Sequence, residues 1–303
     1  MRADKIWMDG EFINWDDAMV HVTTHTLHYG VGAFEGIRCY KCHDGRSAIF
    51  MLEEHIDRLF DSAHIMQLEI PYTKQEIMDV CKEIVRLNGF DECYIRPIVF
   101  MGDGQLGLYV KEFKVRVAVI SWVWGAYLGD EGLMNGIRAK VSSFVRHHVD
   151  ACMTKGKICG HYVNSILARR EAMMAGYDEA IMLDTEGYVS EASGENIFVV
   201  KKGKIKTTPL TSILPGITRA AVMQLATDIG YVMKEERFSR DEMYIADEVF
   251  FTGTAAEVTP VREIDGRRIG PGKPGHVTNR LQNTFFDVAR GIYKEYASWL
   301  TYL

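Results

Sequence analysis

Gly125-Ala-Tyr-Leu-Gly-Asp-Glu-Gly-Leu-Met-Asn-Gly136 is the stretch on which the reading of the whole chain turns. It carries glycine at 125, 129, 132 and 136 between two segments that alternate like strands, Phe113 to Trp124 before it and Arg138 to Phe144 after it. Glycines this close together interrupt periodic structure and mark a connection. The chain of 303 residues is long enough for two apolar cores at roughly 150 residues each. The expectation is therefore a small N-terminal α/β domain over residues 1–126, an inter-domain loop over 127–136 and a larger C-terminal domain over 137–303.

Working back from the loop, Tyr94 to Met101 and Phe113 to Trp124 read as strands joined by a glycine-rich loop from Gly102 to Gly107. An amphipathic helix is expected from Thr73, a plausible N-cap, to Asn88-Gly89, and another between Glu53 and Met66. Phe34 to Tyr40 and Ala48 to Met51 are strand-like, and Asp9-Gly10 closes a hairpin. Working forward, a helix runs from about Tyr162 to Ala175, and hairpins turn at Asp184-Thr-Glu-Gly187 and Lys201-Lys-Gly-Lys204. Leu214-Pro-Gly216 opens a helix in which Ile217, Ala221, Leu225 and Ile229 recur every four residues, closed by Gly230. A strand from Glu248 to Thr252, a turn from Gly253 to Glu257 and a helix at the end complete the chain. Strands and helices come in blocks, which favours α+β over a doubly wound sheet.

Lys+Arg 35 against Asp+Glu 41 leaves a net charge of -6, so no global basic surface is available for nucleic acid. The most apolar stretch, Val115 to Ala126, is interrupted by Arg116 and falls short of the ~18 residues of a membrane span. Charge scattered through Met1-Arg-Ala-Asp-Lys5 does not read as a signal peptide, and six irregularly spaced cysteines suit reduced thiols in the cytoplasm. Cys39-Tyr-Lys-Cys42 alone has metal-like or redox-like spacing, with no second pair after it.

No dinucleotide, Walker or Gly-x-Ser-x-Gly motif occurs. Polar residues at element ends remain. Lys157 precedes a helix among apolar neighbours, where desolvation would make its amine a better nucleophile or base, although a solvated loop lysine fits the same spacing. Glu191, in Ser190-Glu-Ala-Ser-Gly-Glu-Asn196, is either near a ligand or caps backbone amides. The helix starting at Ile217 offers N–H groups at Ile217 and Thr218 to an anion, as every helix does, and the Thr254-Ala255 turn could do likewise. Tyr94 and Arg96 share a strand face, as do Phe34, Gly36 and Arg38.

Taken in order, Leu27-His-Tyr-Gly30, Phe34-Glu-Gly-Ile-Arg38, Tyr94-Ile-Arg-Pro97, Trp124-Gly-Ala-Tyr-Leu-Gly129, Lys157-x-x-Gly160-x-Tyr162, Ser190 to Asn196, Leu214-Pro-Gly-Ile-Thr-Arg219 and Gly253-Thr-Ala-Ala-Glu257 strongly resemble the branched-chain amino-acid aminotransferases. These are pyridoxal 5'-phosphate enzymes of fold type IV, and the resemblance spans nearly the whole chain. It implies a small α/β domain beside a larger β-barrel-like one. It implies that Lys157 forms the Schiff base and moves the proton at the substrate Cα, that Glu191 faces the pyridine nitrogen, and that Tyr162 bonds the ring hydroxyl. Arg58, Leu214, Ile217, Thr218 and Thr254 would complete the cofactor site.

For the substrate, the resemblance implies that Tyr94 and the Thr254-Ala255 amides take the α-carboxylate, with Arg38 orienting Tyr94. Phe34, Trp124, Tyr127 and Ala255 would wall the side-chain pocket, and Arg96 would meet the second carboxylate of glutamate. Tyr29 and the loop around Leu108 would come from a neighbouring subunit, making a dimer the minimal unit, with assembly to a hexamer open. His161 stands where the family commonly has asparagine. The nearest rivals, a D-amino-acid aminotransferase or an aminodeoxychorismate lyase, would keep Lys157 and Glu191. A metal or redox protein using Cys39, Cys42, His43, His147 and His148 would leave Glu191 without a role.

Overall fold

The computed structural model describes residues 2–125 and 127–303. Met1 and Ala126, the latter closing the expected N-terminal domain and lying within the Trp124 to Tyr127 motif, are outside the described residues. In chain order the elements begin with β1 (Lys5–Met8), β2 (Glu11–Asn14), α1 (His25–Tyr29), β3 (Gly32–Phe34), β4 (Ile37–Lys41) and β5 (Ser47–Phe50). Next are α2 (Leu52–Ile65), α3 (Lys74–Leu87), β6 (Cys93–Met101), β7 (Val115–Trp122), α4 (Asp130–Asn135) and β8 (Ile137–Val141). Then follow α5 (Tyr162–Met174), β9 (Glu179–Leu183), β10 (Val189–Ala192), β11 (Asn196–Lys201), β12 (Lys204–Thr207) and α6 (Ile217–Asp228). The last are β13 (Met233–Glu235), α7 (Arg240–Tyr244), β14 (Glu248–Gly253), β15 (Glu257–Ile264), β16 (Arg267–Arg268), α8 (His276–Ala289) and β17 (Leu300–Tyr302).

These elements fall into two compact units. The first takes the chain through Trp124, then Gly156–His161 and Val288–Leu303; the second takes Gly125–Lys155 and Tyr162–Asp287.

The first unit is built on an antiparallel sheet in the order β17-β5-β4-β6-β7-β1-β2, with β3 added to β6. Asp9 and Gly10 both have positive φ, 51° and 105°, which matches the twist of the β1–β2 hairpin they close. In α3, buried Ile77, Cys81, Ile84 and Val85 recur at helical spacing and pack, with Ile56, Leu59 and Ala63 of α2, on Ile37, Cys39, Ile95 and Val117 of the sheet. The expected cap is present. The Thr73 hydroxyl accepts from the Glu76 N–H, and the Glu76 carboxylate accepts from the Thr73 N–H at 2.7 Å. At the other end the Asn88 side chain donates to the Ile84 and Lys5 carbonyls, tying the helix to β1.

The second unit has a mixed sheet in the order β10-β9-β8-β15-β14-β11-β12-β13, with β16 on β15. Strand β8 runs parallel to β9 and β15, and β12 parallel to β13. Ile181, Val189, Ile197, Val199, Phe251 and Val261 form part of its core. The segment expected as a bare loop over 127–136 holds the short helix α4. Its glycines at 129 and 136, φ 79° and 81°, bound the helix at either end, positions that glycine occupies as readily as a loop.

Among the described residues no helix is long and apolar enough to cross a membrane, and no cluster of three metal-ligating side chains occurs. Cys39 and Cys42 are unbonded and buried. A hydrogen bond with Cys93 and burial push the Cys39 thiol far up, and burial raises Cys42, so neither has thiolate character.

Candidate functional site

In the first unit Lys157 is pinned by its backbone. Its N–H donates to the Ser62 hydroxyl at 2.9 Å, its carbonyl accepts from the Phe34 N–H at 3.1 Å, and the next residue, Ile158, bridges Ala33. The ammonium lies 5.0 Å from the centre of the Phe34 ring. A half-buried amine anchored to a strand end is the opposite of the solvated loop lysine that spacing alone allowed.

Helix α2 turns three polar side chains, His55, Arg58 and Ser62, along one side at i, i+3 and i+7. Ser62 holds Lys157, while His55 and Arg58 both reach Glu35, a fully buried carboxylate in the link between β3 and β4. Burial alone would raise the Glu35 carboxyl. The charges and hydrogen bonds of Arg58 and His55 outweigh that and hold it well below the usual carboxylate range.

Arg38 faces Tyr94 directly across the β4–β6 pairing, and its guanidinium donates to the Trp124 carbonyl at 3.4 Å. The Tyr94 ring lies 4.8 Å from Trp124 and 5.1 Å from Trp122. Arg96 sits among Phe34, Tyr94 and Trp122, with its guanidinium 4.6, 5.4 and 5.8 Å from their ring centres. Its Nε is buried with no hydrogen-bond partner among the described residues. Tyr29 and Leu108 stand elsewhere on this unit, 41% and 94% exposed. They are joined through His25, which packs on Tyr29 and hydrogen-bonds the Gly107 carbonyl at 2.8 Å.

The second unit gathers a different set around Glu191, on β10. Arg146 pairs with Glu191 at 2.6 Å, the Asn196 amide donates to it at 3.1 Å and the Leu214 N–H at 3.3 Å. Asn196 also donates to the Leu214 carbonyl, so Glu191, Asn196 and the lead-in to α6 form one hydrogen-bonded group. Gly216 permits this approach, because a Cβ there would fall 1.9 Å from the Asn196 Oδ1. Helix α6 then starts at Ile217 with Thr218 buried behind it, and no side chain caps its N-terminus. Such an end combines oriented N–H groups and a favourable dipole, the chemistry of an anion site. Thr254 and Ala255 lie in the turn from β14 to β15, Tyr162 opens α5, and Tyr127 packs under the Arg169 guanidinium at 4.3 Å.

A family model described as amino-transferase class IV matches residues 32–264. The chain belongs to that family. A branched-chain-amino-acid aminotransferase from Pseudomonas aeruginosa is 53% identical over 300 residues, 99% of this chain and 97% of its own. The crystal structure of the Escherichia coli branched-chain amino acid aminotransferase is 44% identical with a TM-score of 0.96 and covers 99% of both chains. The crystal structure of a T.th. branched-chain amino acid aminotransferase with pyridoxamine 5'-phosphate is 46% identical with a TM-score of 0.96, covering 100% of this chain and 99% of that one. The α+β, type IV fold expected from the sequence is the fold of this chain, and the chain is an enzyme of the aminotransferase class.

Two charged residues central to these clusters carry no signal in their local sequence. Arg146 lies between a strand and two histidines, and Glu35 occurs inside a recognised motif without a role of its own. A hint for Glu35 was available, since His55 and Ser62 interrupt the otherwise apolar buried side of α2 and need buried polar partners.

Proposed function

We propose that the chain is a pyridoxal 5'-phosphate enzyme that transfers amino groups between L-leucine, L-isoleucine or L-valine and 2-oxoglutarate, giving branched-chain 2-oxo acids and L-glutamate. The observation that carries this reading is Arg96, a single guanidinium with an unpartnered buried nitrogen set among aromatic rings. Ping-pong transamination requires one pocket to accept an apolar side chain in one half-reaction and a second carboxylate in the other. Aromatic walls suit the first, and the Arg96 guanidinium among them suits the second.

The donor set fits the cofactor: an anchored amine at Lys157, a carboxylate at Glu191 suited to a protonated ring nitrogen, and phosphate-type sites at Arg58 and the α6 N-terminus. When bound, the cofactor supplies an electron sink that stabilises negative charge at the substrate Cα. In this reading Lys157 removes and returns the proton at that carbon, and Glu191 keeps the ring nitrogen protonated. Tyr162 bonds the ring hydroxyl, and Arg58, Ile217, Thr218 and Thr254 hold the phosphate, with Leu214 beside the ring. Tyr94, oriented by Arg38, and the Thr254-Ala255 amides bind the α-carboxylate, while Phe34, Trp124, Tyr127 and Ala255 wall the pocket.

The active unit in this proposal is a homodimer working in the cytoplasm, with Tyr29 and Leu108 reaching the neighbouring subunit. Leu108 and Tyr109 are 94% and 82% exposed in the single chain, apolar surface that a second copy would cover. Six unbonded cysteines agree with a reducing compartment.

The test compares initial rates with L-leucine, D-alanine and aminodeoxychorismate in wild type and Lys157→Ala. The wild type should be yellow, bleach with borohydride and prefer L-leucine; Lys157→Ala should be colourless and inactive. Preference for D-alanine, or normal turnover in Lys157→Ala, overturns the reading.

A further inference from the structure

We propose that Glu35 is a positioning residue for Arg58: its buried carboxylate fixes the plane of the guanidinium that holds the cofactor phosphate, and His55 locks the carboxylate in turn. The proposal rests on the reading of Arg58 as a phosphate ligand.

Glu35 is fully buried and its backbone N–H is tied to the Pro97 carbonyl at 2.9 Å, so the carboxylate cannot swing to solvent. Among the described residues, donors from Arg58, His55 and Gly36 converge on it. Arg58 Nε donates to Oε1 at 2.6 Å and Arg58 Nη2 to Oε2 at 3.0 Å, the two-point geometry that fixes a guanidinium in a plane. His55 Nδ1 donates to Oε2 at 2.7 Å, and the Gly36 N–H donates to the same oxygen at 3.1 Å. His55 and Arg58 are three residues apart on α2, so one helix face presents both donors to one acceptor. Burial holds the His55 ring below its ordinary range against the opposing pull of the Glu35 charge, and its Nδ1 anchors one carboxylate oxygen. Among the described residues, Arg58 is the cation seen seated on Glu35 by two bonds.

The ion pair nearly cancels its own charge, so Glu35 does not strengthen the field at a phosphate. What it supplies is orientation. An unrestrained arginine loses much rotamer freedom on gripping an anion, and a fork already seated on a carboxylate has lost that freedom before the anion arrives. The two ideas predict opposite signs. If only charge mattered, neutralising Glu35 would tighten phosphate binding; if orientation matters, it weakens it.

The experiment titrates the apo-protein with pyridoxal 5'-phosphate and with pyridoxal, which lacks the phosphate, following absorbance. Glu35→Gln is expected to weaken pyridoxal 5'-phosphate about tenfold or more while leaving pyridoxal within about twofold, as loss of a charged hydrogen bond implies. In the Arg58→Ala background Glu35→Gln should add no further loss. His55→Leu, which keeps both charged partners, should shift the phosphate form in the same direction by a smaller factor and serves where Glu35→Gln does not fold. Unchanged or tighter binding of the phosphate form overturns the proposal, and so does equal weakening of both ligands, which would mark a merely structural role. If Arg58→Ala itself fails to separate the two ligands, the reading of Arg58 falls and the proposal with it. Separation by Arg58→Ala but not by Glu35→Gln overturns the proposal alone.

Discussion

Arg146 Nε lies 2.6 Å from Glu191 Oε1, with the two side chains 9% and 7% exposed. The pair closes a span of 45 residues and fixes a carboxylate that also accepts from the Asn196 amide and the Leu214 N–H. Removing one member of a buried ion pair strands the other charge and costs about 3–5 kcal/mol. Arg146→Met should therefore lower the unfolding free energy of the apo-protein by that order in a urea titration. Adding Glu191→Gln should recover part of the loss, because the stranded charge is then gone. A double variant less stable than Arg146→Met would show that the ion pair is not what holds this group together.

The second unit also buries carboxyls that carry a cost. Glu195 is 4% exposed and Glu179 fully buried, with Ser193 donating to Glu179 at 2.5 Å and Arg169 3.4 Å away. Burial, reinforced by the Glu179 charge, raises the Glu195 carboxyl well above its ordinary 4.5. Above 4.5 the unfolded chain releases this proton while the folded chain retains it, so stability falls as pH rises from 4.5 through the folded value. Glu195→Gln, which keeps an oxygen for the Gly194 N–H, should be close to neutral near pH 4 and stabilising near pH 8 in urea titrations. A destabilised variant near pH 8 would contradict the burial argument.

The first unit responds in the other direction. Burial lowers the His55 ring below 6.5, so the unfolded chain takes up a proton that the folded chain refuses as pH falls through 6.5, and stability drops. The depressed Glu35 carboxyl adds a second loss, which begins only as pH falls through 4.5. His55→Asn, which keeps a side-chain donor for Glu35, should flatten the dependence between about pH 7 and pH 5 while leaving the steeper fall below it. Unfolding free energies measured across that range decide the matter; an unchanged slope would mean that His55 is not the group titrating.

Local chemistry made much of the scaffold legible. Asp9-Gly10 and Thr73 to Asn88 announce a hairpin and a capped helix because their turn and cap residues act over two to four positions, and both elements form as expected. Lys157, Glu191 and Arg96 are proposed as site residues from ordered motifs, since nothing local separates Lys157 from a loop lysine. What stayed hidden depends on distant pairing: Arg146 needs β10 beside it, and Glu35 needs α2 above the β3–β4 link. The helix α4 was missed for the opposite reason, because glycines that cap a short helix carry the same local signal as glycines that prevent one.

Gly36 ties that same link to the substrate reading. A Cβ added there would lie 1.7 Å from the Tyr94 hydroxyl and 2.6 Å from its ring carbon Cζ, distances no side chain tolerates. Tyr94 cannot simply rotate away, because Trp122 and Trp124 pack against its ring at 5.1 and 4.8 Å. Gly36→Ala should destabilise the protein by about 1–3 kcal/mol, the cost of overpacking, and displace the phenol proposed to receive the substrate carboxylate. The Michaelis constant for L-leucine should rise about tenfold, in proportion to one lost charged hydrogen bond. Pairing Gly36→Ala with Tyr94→Phe removes the 1.7 Å clash but not the hydroxyl's absence, so stability should partly return while the Michaelis constant stays high. If the double variant instead regains wild-type kinetics, the Tyr94 hydroxyl is not a substrate contact and Gly36 serves packing alone.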